Sequence, residues 1–207
     1  MKRGFAFVDL CGFTEFTDHE GIGPATQVLS AFRAAGREIA SRRGVRIAKW
    51  LGDGAMVVSV DPTPIIEAVL EAQMRVARDA APLALRAGIT YGEAILFEGD
   101  DYVGTPVNLA ARLSDLAGAN CTLVGEGLDE FLPPWAAIED IGTVEVKGFA
   151  EPLPKRRLCL PVVEGAAIDP VCGLRVPAHL AVPGPGGDPT YCSPSCADAG
   201  GQVLAAG

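Results

Sequence analysis

The chain has no excess of positive charge. Its 17 Lys and Arg stand against 26 Asp and Glu, a formal net charge of −9. That balance excludes binding of nucleic acid through a broad basic surface, although a nucleotide needs only a local cationic pocket. No apolar run is long enough to span a bilayer, and no basic-then-apolar leader opens the chain, so no membrane partner is expected. Internal repeats are absent too, and each chemical group discussed below occurs in one copy. Met1 stands a few residues ahead of the first expected strand. The chain therefore reads as a complete, cytoplasmic protein without an upstream sensor domain, whose thiols stay reduced.

What is present is globular. With 49% hydrophobic and 21% charged residues over 207 positions, the chain can build one substantial domain plus a small appendage. The expected division is residues 1–162, a break at 163–167, and an appendage over 168–207.

The stretch that organises the rest is Ile47-Ala48-Lys49-Trp50-Leu51-Gly52-Asp53-Gly54-Ala55-Met56. Apolar residues flank Gly-Asp-Gly, the pattern of two strands joined by a tight turn, because glycine tolerates positive φ. A carboxylate at such a tip suits a metal ligand; a solvated turn aspartate and a surface lysine are the plain alternative. A second carboxylate has a similar setting. Gly4 to Leu10 is a short apolar run fit for a buried strand, carrying Asp9 near its end and leading into Cys11-Gly12-Phe13-Thr14 and a helical pattern. Mg²⁺ is commonly held by one or two carboxylates plus substrate phosphates, so two such aspartates suffice.

The apolar spacing predicts helices over Pro24 to Arg43, closed by Arg42, Arg43 and Gly44, and from Pro62 onward. Strands are expected at Val45 to Trp50, Ala55 to Val60 and Leu83 to Tyr91. The order strand–helix–strand–strand–helix–strand is the ferredoxin-like arrangement of an α+β fold. A polar connection through Asp101 then leads to Thr105, a good N-cap, and Pro106, a good first helical residue. Asn108 and Arg112, four apart, share one face of that helix. Strands follow at Cys121 to Gly125, Ile141 to Lys147 and Arg156 to Leu160, with a helical turn at Leu128 to Phe131.

Phe7-Val8-Asp9-Leu10-Cys11-Gly12-Phe13-Thr14, Lys49-Trp50-Leu51-Gly52-Asp53-Gly54 and Gly104-Thr105-Pro106-Val107-Asn108-Leu109-Ala110-Ala111-Arg112-Leu113 resemble three signature blocks. They are those of the class III nucleotidyl cyclase catalytic domain, in the family's order, and the resemblance covers Met1 to Pro161. It implies a cyclase domain in which Asp9, the Leu10 backbone carbonyl and Asp53 hold two Mg²⁺ or Mn²⁺ ions. It implies further that Phe13 and Thr14 sit by the phosphates, Lys49 and Asp101 read the purine edge, Asn108 orients the ribose, Arg112 stabilises charge on the α-phosphate and Lys147 touches the terminal phosphate. The substrate expected from the Lys49–Asp101 pair is ATP. The product is then cyclic AMP, and the chain is a signalling enzyme working as a homodimer with shared sites. A guanylate cyclase, or a non-catalytic nucleotide-binding or metal-sensing signalling partner, is the alternative.

Beyond the break the chain changes character. Asp169-Pro170-Val171-Cys172-Gly173 followed by Tyr191-Cys192-Ser193-Pro194-Ser195-Cys196 is similar to the small YHS or TRASH-like metal-binding module. That similarity implies a second metal site of Cys172, Cys192 and Cys196 for Zn²⁺ or another soft ion. His179 is the candidate fourth ligand, and a metal-free tail is the alternative.

Overall fold

The computed structural model describes residues 1–79, 83–99, 101–161, 165–184, 187 and 189–205. In chain order β1 (Lys2–Cys11) is followed by α1 (Phe13–Glu20), α2 (Ile22–Arg43), β2 (Arg46–Leu51), β3 (Gly54–Ser59), α3 (Pro62–Asp79) and β4 (Ala84–Glu93). Next come β5 (Ile95–Phe97), β6 (Asp101–Val103), α4 (Thr105–Leu116), β7 (Thr122–Val124), β8 (Ala137–Val144) and β9 (Leu153–Cys159). The appendage contributes β10 (Ala166–Ile168), β11 (Arg175–Pro177), β12 (Val182–Pro183), β13 (Thr190–Tyr191) and α5 (Pro194–Ala205).

A seven-stranded sheet runs β2-β3-β1-β4-β7-β9-β8, with β4 and β7 parallel and the other neighbours antiparallel. Its first four strands with α2 and α3 are the expected ferredoxin-like unit. β1 lies inside the sheet with helices on both faces, which explains its nearly unbroken apolar sequence. Ala6, Val8 and Leu10 share one hydrophobic cluster with Phe32 and Ile39 of α2 and Ile65 and Val69 of α3. Phe5, with Met56 and Val58 of β3, packs instead with Val107 and Ala110 of α4. Because strand side chains alternate, Asp9 belongs to the α4 face. Gly88 of β4 lets α4 lie directly on the sheet: a Cβ there would stand 2.2 Å from the Ala110 carbonyl oxygen.

Two expectations need correction. A separate helix, α1, precedes α2, and Gly21 at φ 85° separates them. The strand expected over Ile141 to Lys147 runs instead over Ala137–Val144, because Glu139 and Asp140 pair across the ladder with Arg157 and Arg156. Lys147 consequently falls in a turn. The helical turn expected at Leu128 to Phe131 is present as a 3₁₀ segment, Asp129–Phe131.

Of the break expected at 163–167, Val163 and Glu164 lie outside the described residues, as do Ala206 and Gly207 of the appendage; Ala166 and Ala167 already belong to β10. The appendage is docked on the larger unit. Cys172, Leu174, Val176, Tyr191, Cys192 and Cys196 belong to the hydrophobic cluster that includes α2 and α3. The indole N–H of buried Trp135 donates to the Cys192 carbonyl at 2.8 Å.

Candidate functional site

The sheet brings the two expected metal carboxylates together. Asp9 is the register partner of Gly54, the neighbour of Asp53. Gly54 admits this approach, since a Cβ there would lie 2.5 Å from the Val8 carbonyl and 3.0 Å from Asp9 Oδ1. Burial, with the repulsion of nearby Asp9, pushes the Asp53 carboxyl above its usual value. Two carboxylates in this relation form a donor set that fits a hard divalent cation. Leu10 is buried beside them. Gly12, at φ 81°, caps α1, so the N–H groups of Phe13 and Thr14 lie in its first turn, where backbone donors have no intrahelical partner.

Arg86 of β4 was not foreseen. Its Nε and Nη2 both donate to Asp9 Oδ2, at 2.9 and 2.6 Å, and its Nη1 donates to the Asp115 carbonyl of α4 at 3.2 Å. An arginine inside the apolar run Leu83 to Tyr91 was the available signal, because a charge on an interior strand needs a partner.

Lys49 pairs with Met56 in the ladder and so also faces α4. Its Nζ stands 3.0 Å from Asp101 Oδ1, with the two side chains 38% and 51% exposed. The hydrogen bond from Lys49 holds the Asp101 carboxyl below its usual range. Asn108 and Arg112 are exposed, one turn apart on α4, and Arg112 approaches Asp115 of its own helix at 3.7 Å. Lys147 stands apart in the chain from this group. It lies in the turn that follows β8, the last strand of the sheet order. Ile95, Phe97 and Val103 of the β5–β6 hairpin are 69%, 54% and 56% exposed.

The cysteines form a second constellation. Sγ of Cys172 lies 3.5 Å from that of Cys192, which lies 3.7 Å from that of Cys196. The fourth group within reach is Asp169 rather than His179, which is exposed on a short 3₁₀ turn. Asp169 accepts the backbone N–H groups of Val171, Cys172 and Cys192 at 2.8, 3.1 and 2.7 Å, tying the two cysteine loops together. The thiols of Cys172 and Cys192, donating to Cys196, lower its pKa, and Arg43 adds to the effect. Sharing those hydrogen bonds raises that of Cys172.

This pocket reaches into the larger unit. Arg43 of α2 donates to Cys192 Sγ at 3.2 Å, to Ser193 Oγ at 2.7 Å, to Glu67 at 2.8 Å and to Glu71 at 3.1 Å. Arg42 donates to Cys196 Sγ at 3.1 Å and to both oxygens of Glu71. Glu71 is fully buried and Arg43 is 4% exposed. Burial pushes the Glu67 carboxyl up to about 7 even with Arg43 beside it. Arg42 and Arg43 read in the sequence as ordinary helix-closing cations, and no local pattern marks Glu67 or Glu71.

The fold is that of the class III nucleotidyl cyclase catalytic domain, here followed by a cysteine-containing appendage. Among solved structures sharing the fold, the adenylyl cyclase CyaB from P. aeruginosa has 26% sequence identity and a TM-score of 0.65, with 78% of this chain and 95% of that one covered. The catalytic core of a rhodopsin-guanylyl cyclase with converted specificity, in complex with ATPαS, superposes at a TM-score of 0.68 with 19% identity, over 77% and 96% of the two chains. In sequence, an uncharacterised Mycobacterium tuberculosis protein is 35% identical over 150 residues, 72% of this chain and 39% of its own length. A Streptomyces coelicolor adenylate cyclase is 32% identical over 134 residues, 63% of this chain and 34% of that protein. The chain thus spans about two fifths or less of these curated relatives. No family model matches it.

Proposed function

We propose that the chain is an adenylate cyclase that converts ATP to 3′,5′-cyclic AMP and pyrophosphate at sites shared between two copies. The observation that carries this reading is the common placement of the Asp9–Asp53 carboxylates and the Lys49–Asp101 pair beside α4, whose exposed surface bears Asn108 and Arg112. Relatives named adenylate cyclase and the CyaB fold support it.

The reaction is attack of the 3′-hydroxyl on the α-phosphorus, with the bond to the β-phosphate oxygen breaking. Asp9, Asp53 and the Leu10 carbonyl would hold two divalent ions, Mg²⁺ or Mn²⁺, which would acidify that hydroxyl and neutralise charge on the leaving phosphates. The first-turn N–H groups of Phe13 and Thr14 receive phosphate oxygens. Asn108 holds the ribose so that attack is in line, Arg112 receives charge developing on the α-phosphate, and Lys147 meets the terminal phosphate. Asp101 accepts from the adenine amino group while Lys49 donates to the adjacent ring nitrogen. Guanine reverses that edge and leaves both groups mismatched, at about 1–3 kcal/mol for each. The exposed apolar β5–β6 hairpin supplies surface that a second copy would cover.

In the appendage, Cys172, Cys192 and Cys196 are read as ligands for Zn²⁺ or another soft ion; the three clustered thiols support this. The deciding experiment is incubation of the full chain with ATP or GTP and Mn²⁺, with cyclic product quantified for the wild type and Asp53→Ala. Cyclic AMP from the wild type alone is expected. Cyclic GTP in its place would transfer the assignment to a guanylate cyclase, and no product from either would leave a nucleotide-binding partner.

A further inference from the structure

The expected soft-metal site stops at the appendage, whereas the side chains around it do not. Two guanidinium groups of α2 donate directly to the sulfurs of Cys192 and Cys196. Removal of protons from clustered buried thiols accumulates negative charge, which a low-dielectric pocket tolerates only with counter-charge at hand. Arg42 and Arg43 are in place for that, and Glu67 and Glu71 of α3 hold them there. The sulfur spacings of 3.5 and 3.7 Å nearly match the roughly 3.8–4.0 Å between thiolates about 2.3 Å from one ion. Binding therefore asks for movements of a few tenths of an ångström. Both oxygens of Asp169 already accept backbone N–H groups, which leaves the three sulfurs as the principal donors.

The same helix touches the nucleotide side of the molecule. Ten residues before Arg43, about 15 Å along the axis, Arg33 donates through Nη2 to the Gly52 carbonyl at 2.8 Å, immediately before Asp53. Arg33 and Arg37 lie over the Trp50 ring, 5.3 and 5.6 Å from its centroid, and Phe32 meets it edge-on at 6.0 Å. Trp50 is the neighbour of Lys49. One rigid element thus contacts the thiols at its last turn and the Lys49–Asp53 hairpin at its middle.

We propose that the cysteine pocket is a thiophilic-metal site built jointly by the appendage and α2, with Arg42 and Arg43 as its counter-charges, and that α2 carries its occupancy to the Trp50–Asp53 turn. This rests on the soft-metal reading above and adds the second unit's residues and the route. On binding, each ligating thiol gives its proton to solvent and gains a metal–sulfur bond, and the guanidinium hydrogen bonds pass from thiol to thiolate. By linkage, whatever the ion does to the turn, ligands at the turn do in return to the affinity for the ion.

The test uses the full chain in saturating Mg²⁺, titrated separately with Zn²⁺ and with Cu⁺ under reducing conditions, each against a competing chromophoric chelator. The indole resonance of Trp50 is followed, distinguished from that of Trp135 by Trp135→Phe. One ion per chain is expected, with a shift of the Trp50 resonance that saturates at that ratio and is lost in Cys192→Ser. The paired neutral substitution Arg43→Met/Glu67→Gln is expected to weaken binding about 10- to 100-fold, as loss of outer-sphere partners does. Should that variant fail to fold, Arg42→Met/Glu71→Gln replaces it with the same expectation. Binding with a stationary Trp50, a Trp50 shift that survives Cys192→Ser, or unchanged affinity in a folded neutral variant would each overturn the joint site while leaving the soft-metal reading intact. No binding of either ion by the wild type would remove that reading itself.

Discussion

The two charged constellations of this chain are built on opposite principles. Around Lys49, Asp101 and Arg112 the charges are partly exposed and thinly paired: Lys49 and Asp101 share one contact at 3.0 Å, and Arg112 has a neighbour at 3.7 Å. Around Cys192, Arg43 and Glu71 are buried, Arg42 and Glu67 are half-buried, and all four are multiply bonded to one another. Groups of the first kind are free to exchange their partners for a ligand, since solvent-screened pairs contribute little to stability. Groups of the second kind hold a pocket in shape, because losing one member strands the rest in low dielectric. Under the proposed function, the same residue type, arginine, serves recognition on α4 and structure on α2.

Arginine truncation is the most direct way to break that contrast. Arg43→Ala leaves Glu67 and part of Glu71 unmatched and should lower unfolding free energy by about 3–5 kcal/mol in urea titrations. Arg112→Ala should change it by less than about 0.5 kcal/mol. Equal losses from the two would erase the distinction.

Activity should show the reverse order. Arg112→Ala and Asp53→Ala are each expected to reduce cyclic AMP formation by at least about 100-fold while melting near the wild type. Mixed chains of the two variants should recover measurable activity, because one of the two shared sites in a heterodimer is then intact. No recovery in verified heterodimers would exclude sharing. A smaller effect is expected at the purine edge: Lys49→Ala with Asp101→Ala should narrow the ATP-to-GTP preference by roughly 10- to 100-fold, read as a ratio of kcat/KM.

The smallest effect sharpens the buried side. Glu67 is pushed from 4.5 up to about 7 by burial. A raised carboxyl contributes stability that is complete below the unfolded value, near 4.5, and is lost as pH climbs through about 7. Between those limits wild-type stability should fall relative to Glu67→Gln by on the order of 1–3 kcal/mol, measured by denaturant unfolding at several pH values. Parallel profiles for the two proteins would contradict the raised carboxyl.

Much of the first constellation was legible because its logic is local. Gly-Asp-Gly between apolar runs specifies a turn with a carboxylate at its tip, and Thr105-Pro106 opens a helix on which Asn108 and Arg112 share a face. Glycines at 54 and 88, where a Cβ would collide with Val8 and Ala110, allow the close approaches that gather these groups. The missed partner, Arg86, meets Asp9 across 77 positions of chain. Its presence in a strand was visible; its target was not. The short helix α1 escaped notice because it carries no buried residue, so no apolar stripe announced it.

By itself the sequence determined the βαββαβ order, the placement of Asp9 and Asp53 at strand ends, and the clustering of three cysteines in the last quarter, because strand alternation, turn chemistry and helical periodicity act over a few residues. Only the tertiary structure decided which face carries α4, that Arg86 meets Asp9, and that Arg43 reaches a thiol 149 positions away. Burial and long-range charge pairing depend on which surfaces the packed core brings together, and nothing in the neighbourhood of a residue in the chain encodes that.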